Sequence, residues 1–112
     1  MTSISDSGGR KKRGSFYDLK EVKDLIRKGK VRVQGNAKAG AKEAFGWTIS
    51  EILDALLDLE PRHFYKSDVW KIDRSVVLDF YKARDLKEVS VYTHFYINDE
   101  TGFLVISSFK EI

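Results

Sequence analysis

Apolar residues recur at helical spacing through the first half of the chain and by alternation through the second, and the change of period falls at Pro61. Leu19, Val22, Leu25 and Ile26 mark one face of a first helix, which Gly29 ends. A brief Val31-Arg32-Val33 alternation follows. The small-residue stretch from Asn36 to Gly46 reads as a second helix with an Asn N-cap and a glycine stop, and its alanines permit close packing. Thr48-Ile49-Ser50-Glu51 is a capping box leading into the stripe Ile49, Ile52, Leu53, Leu56 and Leu57, and Pro61 is expected to stop this third helix. Beyond it, β-branched and aromatic residues gather in Phe64 to Ile72, Val76 to Lys82, Glu88 to Ile97 and Thr101 to Lys110. The last two segments are joined by a hairpin loop, Asn98 to Gly102. Helices first and hairpin-linked strands second predict an α+β fold, with N-terminal helices packed on one face of a C-terminal antiparallel β-sheet.

The chain has 112 residues, 42% of them hydrophobic and 33% charged, the composition of one ordinary globular domain. The domain is expected to occupy residues 15–112, behind a basic tail, residues 1–14, whose Arg10-Lys11-Lys12-Arg13 run has glycine and serine on both sides. Net charge is only +3, but residues 1–35 hold ten Lys and Arg against four Asp and Glu, while the rest hold ten against thirteen. A basic front attracts phosphates, although the tetrad alone reads equally as a solvated tail. The absence of cysteine removes disulfides, thiolate ligands and cysteine nucleophiles together. No apolar run approaches the ~20 residues of a membrane span, and the first residues have no signal-peptide core, so a cytoplasmic protein without a membrane partner is expected.

Alternation along Val89 to Ile97 puts Val89, Val91, Phe95 and Ile97 on the core face and Ser90, Tyr92, His94 and Tyr96 on the other. Tyrosine and histidine can stack on bases, donate hydrogen bonds and move protons; they also pack simply across strands. Lys66 and Lys110 are isolated cations among apolar residues, suited to a phosphate or to protecting a sheet edge. Tyr81, Lys82 and Arg84 fit phosphate contact or plain solubility, and His63, at the helix-to-strand turn, is expected to face solvent. Phosphate-binding glycine loops, HExxH and GxSxG are absent, and two histidines without a carboxylate cluster make a metal site unexpected. No cofactor and no metal are therefore expected. Chemistry by Lys, Tyr, His and Arg alone stays open, and RNA strand scission needs nothing more.

The order of Asp18 to Val31, then Phe64-Tyr65-Lys66-Ser67, then Val91-Tyr92, then Val105 to Glu111 (VISSFKE) resembles the MqsR (motility quorum-sensing regulator) family of toxins over roughly residues 17–112. The resemblance implies a RelE-like fold and a ribosome-independent mRNA endonuclease. It also implies a cognate antitoxin that neutralises the toxin and represses their shared operon, so that operator DNA is reached only through the antitoxin. By the same resemblance Lys66, Tyr92 and Lys110 carry over as active-site residues. The family's glutamine after a tryptophan does not, because Val77-Leu78 stands there, which leaves open whether His94 supplies the missing polar group. In such a site the RNA 2′-OH would attack the adjacent phosphate, leaving 2′,3′-cyclic phosphate and 5′-OH ends. Lys66 and Lys110 would stabilise the phosphorane. Tyr92 or His94 would transfer protons, and histidine, with an ordinary pKa of ~6.5 against ~10 for tyrosine, is the better suited. Tyr81, Lys82, Arg84 and Tyr96 would hold neighbouring phosphates or bases. The competing readings are a non-catalytic binding module of the same fold and a homodimer packed through the Tyr/His face.

Overall fold

In the computed structural model, which describes residues 14–112, Asp18 opens helix α1 (Leu19–Arg27) by accepting the Lys20 backbone N–H at 3.0 Å. Leu19, Val22 and Ile26 bury its apolar face, and Gly29, at φ 74°, turns the chain out of the helix. Strand β1 (Val31–Val33) follows. Helix α2 (Gly35–Phe45) starts before the expected Asn36 cap, with Gln34 at the N-cap and no side-chain bond there. Asn36 lies instead inside the first turn, where its Nδ2 donates to the Ser107 carbonyl at 3.3 Å and ties the helix to the sheet. The capping box of α3 (Ile49–Leu56) forms as read: the Thr48 N–H donates to Glu51 Oε1 at 2.9 Å, and the Glu51 N–H returns to Thr48 Oγ1 at 3.4 Å. That helix ends at Leu56, short of Pro61, because the chain turns there to bury Leu59 completely. Pro61 begins a 3₁₀ turn, Pro61–His63.

His63 does not face solvent. Its ring is buried, with Nδ1 accepting the Glu60 N–H at 3.0 Å and Nε2 lying 2.9 Å from Asp85 Oδ1. Since Nδ1 accepts, the neutral ring carries its proton on Nε2 and donates it to Asp85. The tight turn that Pro61 sets folds the imidazole back onto the chain, a tertiary effect that Pro61 and His63 alone do not specify.

Four further strands complete the sheet: β2 (Phe64–Val69), β3 (Val77–Leu86), β4 (Val89–Ile97) and β5 (Leu104–Glu111). Strand order is β1-β5-β4-β3-β2. The four long strands form the expected antiparallel meander, and β1 adds a parallel edge to β5 through Val31 and Leu104. β3 runs past Lys82 to Leu86, and a turn at Lys87 and Glu88, both at positive φ (52° and 68°), joins it to β4. Neither residue is a favoured left-handed former. Lys87 holds the turn against α3 instead, its Nζ lying 3.1 Å from Asp54 and 3.0 Å from Asp58.

The helices cover one face of the sheet. Leu19, Val22, Ile26, Ala37, Ala41, Ile52, Ala55 and Leu56 pack there against Tyr81, Ala83, Val91, Phe95, Leu104, Ile106 and Phe109. A β-carbon at Gly40 would overlap the Phe109 carbonyl oxygen, so α2 and β5 touch backbone to backbone. Asp79 is fully buried, and its carboxylate accepts from the Phe16 N–H at 3.0 Å, the Tyr17 N–H at 2.8 Å and Ser67 Oγ at 2.5 Å. The start of the described segment, β2 and β3 thus meet at one side chain. Among the described residues no helix is long and apolar enough to cross a membrane.

Candidate active site

The sheet face opposite the described helices presents two cross-strand rows. Register pairs Lys66 of β2 with Phe80 of β3 and Phe80 with His94 of β4; beside it, Lys82 of β3 pairs with Tyr92 of β4 and Tyr92 with Lys110 of β5. Pleating makes the two rows neighbours, because residues two apart on a strand share a face. Lysines therefore flank an aromatic patch. Phe80 lies 4.8 Å from the His94 ring and 6.2 Å from the Tyr92 ring, centroid to centroid. Lys66 Nζ sits 4.9 Å from the Phe80 centroid and Lys110 Nζ 5.2 Å from that of Tyr92. Lys66 also reaches Asp68 at 3.5 Å, which steadies it without covering it.

His94 is the most constrained member of the patch. Its Nδ1 lies 2.6 Å from Ser107 Oγ, and that hydroxyl is 3.0 Å from the His94 carbonyl oxygen. A β-bulge lies beside it: Phe95 pairs with Ile106, but His94 pairs with Ser108, so Ser107, which follows Val105 on this face, is the extra residue. Burial, and secondarily the charge of Lys110, push the imidazole down to about 4. At neutral pH the ring is uncharged and able to accept a proton. A groove of about 450 Å3 lies alongside, lined by Lys66, Asp68, Trp70, Leu78, Phe80 and His94 among others.

The expected site residues separate into two groups. Lys66, Tyr92, His94 and Lys110 come together on the open face, with Lys82 half-buried beside them, 4.0 Å from the Tyr65 ring. Tyr81 does not join them. It is 1% exposed, stacked on Phe95 in the core at 5.3 Å, and burial pushes its phenol up to about 12, so it offers no surface to RNA. The alternation that puts Lys82 outward puts Tyr81 inward. Tyr96 lies on the open face but is covered by Trp70 at 5.6 Å and clusters with Leu78 and Val105, which leaves it 8% exposed. Arg84 is exposed further along β3. The basic tetrad at residues 10–13 lies outside the described residues.

Sequence reasoning did not single out Phe80, Tyr65 or Ser107. Phe80 was within reach, since it alternates with Lys82. Tyr65 occupies a register shift between Phe64 and Lys66, and Ser107 a bulge.

Fold and face together define a small α+β domain with helices on one side of its sheet and a lysine-flanked aromatic patch on the other. The chain belongs to the MqsR toxin family: the family model described as motility quorum-sensing regulator, toxin of MqsA, matches residues 15–111. It is thus the toxin of a toxin–antitoxin system, and its family implies a cognate antitoxin as partner. No curated protein matches the chain.

Proposed function

We propose that this toxin is an endoribonuclease that cuts mRNA at the lysine-flanked patch without a metal ion. The observation that carries the reading is the pair of adjacent rows, Lys66-Phe80-His94 and Lys82-Tyr92-Lys110, on one open face. Bases stack on Phe80 and Tyr92, and the scissile phosphate lies among the lysines. The 2′-oxygen bonds to phosphorus while its proton passes to the neutral His94 imidazole. Lys66 and Lys110 offset the added negative charge of the phosphorane. The bond from phosphorus to the 5′-oxygen then breaks, and the leaving oxygen takes a proton from Tyr92 or Lys110. The products are a 2′,3′-cyclic phosphate and a 5′-OH. The antitoxin restrains this activity and carries the pair to operator DNA.

A second reading, a non-catalytic RNA-binding relative, is favoured by one observation. Leu78, where the family glutamine is expected, is 2% exposed among Tyr96 and Val105 and brings no polar group. Incubation of the purified protein with a long mRNA, EDTA present and ribosomes absent, separates the two. Endonuclease action gives discrete cuts with cyclic phosphate and 5′-OH ends that Lys110→Ala abolishes. If the RNA stays intact with and without ribosomes while binding persists, the endonuclease reading fails.

A further inference from the structure

The Ser107 hydroxyl has one proton and two neighbours that compete for it, His94 Nδ1 at 2.6 Å and the His94 carbonyl oxygen at 3.0 Å. If that proton went to Nδ1, the hydroxyl and carbonyl oxygens would face each other with no hydrogen between them, a repulsive and largely buried contact, since Ser107 is 4% exposed. If Nδ1 carries the ring proton, it donates to Oγ, Oγ donates to the carbonyl, and these three atoms are all satisfied. Nε2 then holds the free lone pair and, among the described residues, has no hydrogen-bond partner.

We infer that Ser107 is a positioning residue that fixes His94 in the Nδ1-protonated tautomer and turns the Nε2 lone pair toward the open face as a proton acceptor. The inference rests on the endonuclease reading for its purpose, but its geometry stands apart from it. The bulge at Ser107 is itself held from behind, where Asn36 of α2 donates to the Ser107 carbonyl at 3.3 Å. Ser107 follows Val105 on the open face by ordinary alternation, and the bulge lets Ser108 and Ser107 both lie beside His94. Ser107 touches no reacting atom. Its effect passes through the ring, much as a hydrogen bond to one imidazole nitrogen decides what the other can do.

Long-range 15N–1H correlation spectra of the full chain at neutral pH, without RNA, read the tautomer directly. The wild type should show a protonated, pyrrole-type Nδ1 and a pyridine-type Nε2 at His94. Ser107→Ala should lose that preference and shift both nitrogens toward the values of a mixed tautomer, and Ser107→Thr, which keeps a hydroxyl, should restore it. In RNA cleavage, Ser107→Ala should lower kcat about tenfold with KM little changed, less than the roughly 10²–10⁴-fold loss that follows removal of a general base. A wild-type spectrum with the proton on Nε2, or one that Ser107→Ala leaves unchanged, overturns the inference. Because the spectrum needs no RNA, absence of cleavage in the wild type counts against the endonuclease reading while the tautomer still decides this one.

Discussion

His94 and Asp79 are two titratable groups that burial drives in opposite senses, each toward its neutral form. For His94 the pKa falls to about 4, below that of an unfolded histidine, so the ring resists protonation as the solution becomes acid. If it is the base, the acid limb of kcat/KM should fall near pH 4 instead of the ~6.5 of a free imidazole, and His94→Phe should remove it with most of the activity. For Asp79 desolvation raises the pKa against the lowering pull of Ser67, Tyr17 and Phe16. A carboxyl raised on folding binds its proton more tightly in the native state. Its contribution is therefore complete below the unfolded pKa and is lost as pH rises through the folded value. Urea unfolding of wild type and Asp79→Asn across pH should show the wild-type advantage growing as pH falls from neutral. An advantage that shrinks would mean that the three donors outweigh burial.

At the scale of elements, α2 and β5 hold the patch in place from the side it does not show. Gly40 lets them meet at the Phe109 carbonyl, with the Lys110 β-carbon 3.5 Å from where a methyl group would sit. Gly40→Ala gains up to ~1 kcal/mol of helix propensity but forces the backbones apart, which costs about 1–3 kcal/mol, so the clash should win. Thermal denaturation should show a lower Tm for this variant, and RNA cleavage should fall as Lys110 is displaced. Sequence periodicity revealed the helices, the long strands, and the common face of Tyr92 and His94. It did not reveal features that depend on contacts between distant parts of the chain. Asn36 has the chemistry of a cap but meets β5 instead. Lys87 and Glu88 have no turn signature and are held there by α3. Val31 to Val33 needs Leu104 to become a strand, and no local pattern announces the bulge at Ser107.

The fold keeps its two surfaces separate: one sheet face belongs to the core and the other carries cations that, among the described residues, no helix covers. Lys66, Lys82 and Lys110 come from three different strands, so their spacing is as rigid as the sheet. If they hold phosphates of a single strand, each should release condensed counterions when RNA binds. Replacing any one with alanine should then flatten the dependence of log K on log salt by about 0.7. The same replacement at exposed Lys20 on α1, behind the sheet, should leave the slope unchanged. Equal effects at both places would point to diffuse attraction by a positively charged protein rather than a defined track.

The parallel pairing of β1 with β5 has a consequence for the protein's own synthesis. β5 lies between β1 and β4, carries Lys110 and Ser107, and among the described strands is the last to be synthesised. Until it emerges, β1 has no neighbour, His94 has no hydroxyl beside it, and the patch lacks one of its flanking lysines. If the patch cuts RNA as proposed, a toxin built in this order would spare the message that encodes it until β5 is free to pair. Nascent chains stalled before Leu104 should leave RNA uncut, and activity should switch on only once the following residues are free to pair.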